Sequence, residues 1–583
     1  MCGSLAKPKT RVKLVDSRRL TGPNLLLDGP GAVIEVELEG EDREHLIEAW
    51  QTQSRRILEA VGWSQSLLAN RAHQGGLTLA FTAPIDALYA ATEVNEWALS
   101  AAQATFDGND LGDFEAAVTR LRAKIRAERN PAHLALIHSA AQHEVSCLSD
   151  DDEISLGLGT GSVTWPASEL PSPDEIDWQK IHDVPVALIT GTNGKSTTVR
   201  LLASMFKAAG KAVGLCSTDW IRVGEEIVDK GDYSGPGGAR QVLRHPGVEV
   251  ALLETARGGM LRRGLAVAHA DVALVTNIAE DHLGESGIYD LEELAQAKLI
   301  VHKAAKHLVL NADDPVLSRH GLDLKQPKTW FSLDADNEIV ERHRAIGGRA
   351  CRLLGPQIVF DEGPDTKPVM SVDSIPLTLR GAARHNVANA LAAVGVAVTL
   401  GLPMEAIRTG LRTFESSPRE NPGRLNVFEI NGVTAIVDFA HNPHGIAALL
   451  ETAATMPAKR RLVTTGQAGD RDNASIRKLA STIAQTRPDR IIVKELEDYL
   501  RGREQGEVPA LIIEELLASG VPPEAIGQAT SEMDAIRQAL AWAQKGDLLL
   551  LITHSSRSGV VSYLENLQAK GWSPGDPVSG LAT

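Results

Sequence analysis

The chain has 583 residues, 43% of them apolar and 23% charged, with a formal net charge of −16. That length predicts about three or four domains with sizeable buried cores. The negative balance excludes non-specific binding to nucleic acid or anionic membranes, so any attraction for a polyanion must be local. Four cysteines (Cys2, Cys147, Cys216 and Cys351) are scattered without metal-ligand spacing and read as reduced cytosolic thiols. The opening MCGSLAKPKTRVKL lacks a signal-peptide core, and no apolar run approaches about 20 residues. A cytoplasmic protein without a membrane partner is expected.

In chain order, VIEVELEG (33–40) alternates like a strand, and HLIEAWQTQSRRILEAV (45–61) has helical spacing. Two further helical stretches are expected near 86–105 and 113–144. Arg18, Arg19 and Gly22-Pro23-Asn24 read as a basic surface turn. Residues 1–168 are expected to form a smaller α+β domain with no chemistry-bearing cluster. PASELPSPDEID (166–177) is a linker by composition.

From 178 to 417, apolar strands at 184–189, 211–215, 248–253, 271–276 and 306–310 alternate with helices. That rhythm predicts an α/β domain with a mainly parallel sheet covered on both faces. Its first strand runs into Gly191-Thr192-Asn193-Gly194-Lys195-Ser196-Thr197. A helix follows, with Val199, Leu202, Ala203 and Phe206 at helical spacing and Gly210 as its stop. Strand, glycine turn, lysine and hydroxyl together make a phosphate cradle. Backbone N–H groups and the helix N-terminus face the anion, Lys195 adds charge, and Ser196 suits Mg²⁺. Ile189 stands where the full G-x-x-x-x-G-K-[ST] pattern has its first glycine, so this is a shorter variant. The motif indicates phosphate, not a reaction.

A third unit, 421–583, follows SSPRENPG (416–423). Strands expected at TAIVDF (434–439), RRLVTT (460–465), RIIVKE (490–495) and DLLLLIT (547–553) predict a second, smaller Rossmann-like sheet.

Ligands of open α/β sheets gather at the carboxyl ends of strands. Glu254 follows VEVALL, Asp281-His282 follows DVALVTNI, and Ser217-Thr218-Asp219 follows KAVGLC. An acid and a histidine near a P-loop serine suit a divalent cation. Taken singly, each reads as a cap or a core histidine; on one sheet edge they reinforce each other. Lys298 sits two turns into the helix opened by Asp290, and periodicity alone makes it a solvated lysine.

These segments resemble the Mur ligases, and in particular the Mur-ligase half of the cyanophycin synthetases. The likeness is carried by GTNGKSTT (191–198), LLETARGGMLRRGL (252–265), VTNIAEDHLG (275–284) and LNADDP (310–315). It continues in HNVANALAA (385–393), NPGRLNVFE (421–429), VDFAHNP (437–443), GDRD (469–472) and LRGREQGE (500–507). ETARGG with RRGL, and LRGR with GE, point to the cyanophycin branch; SRRLTGPN near the start is similar to the opening of its N-terminal domain. The ATP-grasp domain of that branch has no room between the first unit and the P-loop strand.

The resemblance implies a P-loop central domain, a Rossmann-like C-terminal domain and an ATP-dependent amide or isopeptide ligase. A carboxylate would attack the γ-phosphate to give an acyl-phosphate and ADP, and an amine would then displace phosphate. It implies Lys195 and Ser196 on the phosphates and a first Mg²⁺, assisted by Thr218 or Ser217, with Glu254 and His282 as metal ligands. Lys298 matches the lysine that many Mur ligases carbamylate, which would help hold a second Mg²⁺. Asn386 and Asn389 resemble adenine-side positions, Arg424 a phosphate-reaching arginine, and Asp438 a ribose- or phosphate-side acid. His441 and Asn442 line the junction.

Asp470, Arg471, Asp472, Arg501, Arg503 and Glu507 are candidates for gripping an incoming amino acid, arginine or lysine; an ion-pair network is the alternative. Three readings stand: a ligase joining such an amino acid to a carboxylate-bearing acceptor, a poly-γ-glutamate-type polymer ligase, and a silent nucleotide-binding scaffold. The first unit is left open as acceptor recognition or a homo-oligomer interface. Arg424, Asp438 and His441 lie beyond the 417–423 linker, so the site is expected to be complete only when the third domain swings onto the second.

Overall fold

The computed structural model describes residues 11–39, 43–110 and 112–578, so Cys2 and the opening segment fall outside it. No helix among the described residues is long and apolar enough to cross a membrane.

The chain begins with a four-stranded antiparallel sheet in the order Arg11–Leu20, Gly31–Glu39, Gly76–Thr82, Leu68–His73. The helices Arg43–Val61 and Leu88–Asp107 pack on it through a core that includes Trp50, Leu79 and Phe81. The single helical stretch expected over 113–144 is two helices, Phe114–Glu128 and Pro131–Gln142. Pro131 explains the break. Its missing N–H and restricted predecessor stop the first helix, while Asn130 caps the second through His133 N.

Two expectations for the first unit change. The basic turn is not a free surface loop: Thr21 N donates to Arg263 O and Leu265 N to Pro23 O, so it is pinned to the central unit. A Cβ on Gly22 would overlap the Leu265 carbonyl, which explains a glycine at that contact. The linker segment is also ordered. Val163–Pro166 pairs in a small sheet with Cys147–Ser149 and Glu153–Leu156, and Leu170, Ile176 and Trp178 pack beneath it. Leu148 and Leu158 enter the central core.

The central unit is built on an eleven-stranded sheet. Its middle is parallel, with Val186–Thr190 between Val250–Glu254 and Ala270–Val275. Val186 and Leu188 pack into one core while Ala187 and Ile189 pack into another, so a nearly continuous apolar run serves both faces. The edges are antiparallel and were not expected: Trp220–Val223 with Glu226–Lys230 at one side, Arg349–Leu354, Gln357–Glu362 and Asp365–Ser371 at the other.

The third unit has six strands, ordered Asn426–Ile430, Val433–Asp438, Leu548–Ile552, Arg461–Thr465, Arg490–Lys494, Ile526–Ala529. All neighbours are parallel except the first pair. It has its own two cores, one on each face.

Candidate active site

Strand register gathers the chemistry on one rim. Glu254 pairs with Ile189 and Val275 with Thr190, so Glu254, the P-loop turn and the Thr276–His282 segment leave the sheet together. Cys216 pairs with Leu253, which brings Ser217 and Thr218 to the same rim. The P-loop turn needs its glycines. Gly191 and Gly194 have φ of 140° and 88°, and a Cβ at either would overlap Thr276 Oγ1 or Asn389 Oδ1. The helix Lys195–Ala208 then starts with its N-terminus facing the cleft.

Lys195 Nζ donates to Thr192 O at 2.9 Å, and Ser196 Oγ lies 3.3 Å from Thr218 Oγ1. Thr218 N donates to Glu254 Oε2 at 3.4 Å; Glu254 is 1% exposed, and its Oε1 has no partner. An orphaned carboxylate oxygen beside two hydroxyls is a fitting donor set for a hard divalent ion. Burial pulls Lys195 below the usual lysine range, while Glu254 and Asp281 oppose that pull. Lys298 is 5% exposed, not solvated, and donates to Gly191 O at 2.9 Å from beneath the loop. Burial, then the charge of Lys195, holds its pKa well below the ordinary value.

His282 is placed differently from the other metal candidates. Its Nε2 accepts from Arg471 Nη2 at 2.8 Å, and its Nδ1 donates to Glu285 Oε1 at 2.9 Å. Both ring nitrogens are therefore engaged away from Glu254, although the two residues line one cleft. His282 also has φ of 52°, a backbone setting uncommon for a side-chain-bearing residue.

The third unit closes the cleft. Asn193 and Asn442 exchange hydrogen bonds, and His441 Nε2 lies 3.5 Å from Asp281 Oδ2. The junction expected to form only on closure is thus already made in this structure. Asp438 is not free: it accepts from Leu425 N at 2.7 Å and Ala440 N at 2.8 Å, shaping the turn that presents Arg424. Arg424 lies over the Phe439 ring at 4.6 Å. Burial and then neighbouring Arg557 lower its pKa.

Two connected cavities result. One, of about 580 Å³, holds Lys195, Ser196, Glu254, Lys298 and Arg424. The other, of about 440 Å³, lies behind the P-loop and is lined by Asn386, Asn389, His385 and Phe331. Asn389 Nδ2 donates to Asn386 Oδ1 at 3.1 Å, and Asn386 Nδ2 to Leu377 O.

The candidate amino-acid grippers are mostly partnered among themselves. Asp470 pairs with Arg501, Asp472 caps the helix Asn473–Gln485, and Arg503 binds Glu507 and the Gly469 carbonyl. Arg471 and Arg501 line the cleft, while Arg503 supports the loop that carries Arg471 by donating to its carbonyl. Arg257, Tyr499, Gln467 and Arg557 also line it and were missed. Arg557 had a readable signal, a basic residue just past the carboxyl end of the strand DLLLLIT.

A family model described as the Mur ligase middle domain matches residues 189–397, and one described as the Mur ligase glutamate ligase domain matches 423–553. Residues 189–553 belong to the Mur ligase family. Cyanophycin synthetase of Crocosphaera subtropica is 41% identical over 377 residues, 64% of this chain and 42% of that one. The Synechocystis cyanophycin synthetase is 40% identical over 375 residues, again 64% and 42%. A UDP-N-acetylmuramoyl-L-alanyl-D-glutamate--2,6-diaminopimelate ligase of Geobacillus kaustophilus is 28% identical over 389 residues, 64% of this chain and 73% of that one. The chain thus spans less than half the length of the cyanophycin synthetases it matches. The solved structure of E. coli FolC in complex with DHPP and ADP aligns over 66% of this chain and 89% of that chain, at 20% identity and TM-score 0.48. In this Mur ligase pair of domains, the cleft lies where the matched middle domain meets the matched C-terminal one.

Proposed function

We propose that this protein is an ATP-dependent, ADP-forming amide ligase that joins an amino acid to a carboxylate through an acyl-phosphate. The observation that carries this reading is one cleft with two kinds of wall. The P-loop turn and the orphaned Glu254 oxygen form one side, and Arg424 enters from the other.

In this reading the cavity beside Asn386 and Asn389 takes the nucleoside, and Lys195, with the turn's N–H groups, takes the phosphates. Ser196, Thr218 and Glu254 would hold Mg²⁺ or Mn²⁺, whose charge offsets repulsion between two anions. His282 joins that set only if Arg471 releases its Nε2. Burial lowers the Lys298 pKa and so favours the uncharged amine that carbamate formation needs, and the carbamate would replace a cation by an anion beside the loop. Arg424 and Lys195 neutralise charge on the phosphoryl group while the acceptor carboxylate attacks. The closed junction of Asn193 with Asn442 keeps water from the acyl-phosphate until the amine arrives. The third unit then selects the amine, with Arg471 and Arg501 placed to hold its α-carboxylate.

Arginine or lysine is the amine we favour, because Asp281 and Glu285 present acids to the same cleft. The test is acceptor-dependent ADP release, screened over the amino acids with carboxylate peptides as acceptors. Release with arginine or lysine is expected; release with glutamate alone would replace this reading by a poly-γ-glutamate-type ligase. Nucleotide binding without any release would leave a scaffold.

A further inference from the structure

The helix Arg557–Ala569 opens with an arginine just past the strand Leu548–Ile552. A cation in the first turn opposes the positive end of the helix dipole, so the helix gains nothing from this placement. The side chain instead crosses the domain junction. Arg557 Nη1 donates to Asp219 Oδ1 at 2.5 Å, its guanidinium lies 4.6 Å from the centre of the Phe439 ring, and its Nε is buried without a partner.

Arg424 lies at the same 4.6 Å from that ring, and its Nε is likewise buried and unpartnered. Arg200, on the P-loop helix and 2% exposed, takes the other oxygen of Asp219. Asp219 therefore serves two arginines by direct contact, with Arg424 close enough to feel its charge. Crowding guanidiniums around one acid is costly unless a further anion completes the set. The cleft that Arg557 and Arg424 line together is the one that holds Lys195 and Ser196.

We propose that Arg557 is a second phosphate-gripping catalytic arginine, carried by the third domain onto the transferred γ-phosphoryl group, with Asp219 as its positioning residue. The inference rests on the ATP-dependent reading above. As an acceptor carboxylate oxygen bonds to the γ-phosphorus, the bond from phosphorus to the β–γ bridging oxygen breaks, and its electron pair stays on ADP. Negative charge on the equatorial oxygens then meets two guanidiniums, each held against Phe439 by cation–π attraction. No proton leaves either arginine. Because Arg557 and Lys195 come from different domains, both can engage only when the junction is closed, so Asp219 ties closure to the chemistry.

The test uses the full chain with Arg557→Ala, Arg557→Gln and Asp219→Asn. Calorimetry reads the affinities for Mg-ADP and a nonhydrolysable triphosphate. Arg557→Ala is expected to leave ADP affinity within about threefold and to weaken the triphosphate at least tenfold, roughly what loss of a charge-assisted contact gives. Its kcat should fall at least about 100-fold, and free guanidinium ion should restore part of it. Arg557→Gln keeps part of the aliphatic stem and a polar end without the charge and should behave alike, which covers a poorly folding alanine variant. Asp219→Asn should give a smaller loss of the same kind. An unchanged ratio of triphosphate to diphosphate affinity overturns the inference, as does an equal loss for both nucleotides. A wild-type protein that binds neither nucleotide overturns the ATP-dependent reading itself, a different failure.

Discussion

Asn193 and Asn442 hydrogen-bond to each other in both directions, Nδ2 to Oδ1 at 3.2 and 3.1 Å, across 249 residues of sequence. One belongs to the P-loop turn, the other caps the helix Pro443–Thr455 by accepting from Gly445 N. The P-loop turn is thus tied directly to the first helix of the third unit.

Asn193→Ala removes this tie without touching the cap. Turnover is expected to fall about tenfold, the value of one to two lost hydrogen bonds, with the melting temperature nearly unchanged. Asn442→Ser keeps a capping oxygen and should lose activity to a similar extent. A double variant whose loss equals the product of the two single losses would show that the pair does not act as one unit.

Gly194→Ala should abolish nucleotide binding while the fold persists. The residue has φ of 88°, and its new methyl group would overlap Asn389 Oδ1. The loss expected in nucleotide affinity is at least about 100-fold, two strained contacts' worth. Wild-type affinity in this variant would mean that the turn does not hold phosphate.

Glu254→Gln keeps volume and removes the charge of the orphaned oxygen. The Mg²⁺ concentration for half-maximal activity should rise at least about tenfold, with little change at saturating metal. An unshifted metal titration would remove Glu254 from the metal set.

Carbamate on Lys298 is expected to give a carbon-13 NMR signal from labelled bicarbonate that Lys298→Arg lacks. The reaction needs the neutral amine, which burial favours by lowering the pKa. Lowering the pH reprotonates the amine, so the signal should weaken toward acid. Full activity in bicarbonate-free buffer, with no signal, counts against the modification.

Asp281 supplies a pH-dependent stability contribution. Burial pushes its pKa upward, but the hydrogen bond from His441 and the nearby positive charge of Arg471 outweigh burial and hold it well below the carboxylate range. A depressed carboxylate stabilises the fold at pH above its unfolded value of about 3.9, and that stability is lost as pH falls through the folded value. Asp281→Asn should therefore be less stable by about 2 kcal/mol at pH 7, the order of a charged hydrogen bond. The gap should close as pH drops below about 4. A gap that is constant down to pH 3 would show that the carboxylate charge is not what matters.

The strands that flank the P-loop were legible because each is a short apolar run ending in a turn. The strand expected at 184–189 is Val186–Thr190, and Glu254, Thr218 and Asp281 leave the rim beside it as the strand-end rule suggests. The edge strand Glu226–Lys230 was not legible, because it is exposed along its whole length and shows no apolar alternation. The Gly22 turn looked like a surface loop because its partners, Arg263 and Leu265, are more than 200 residues away. Lys298 looked solvated for a related reason: helical spacing says which face a residue is on, not which loop covers that face.

Local pattern by itself determined where the glycine turn and its helix lie, which strands build the parallel middle of the central sheet, and which residues end them. These follow from backbone geometry and from apolar spacing over a few residues. Tertiary structure decided the rest: that Arg471 occupies the His282 ring nitrogen, that Asp219 bridges Arg200 to Arg557, and that two asparagines lock the junction. Such pairings are set by distance and burial between segments far apart in the chain, and no stretch of sequence carries either quantity.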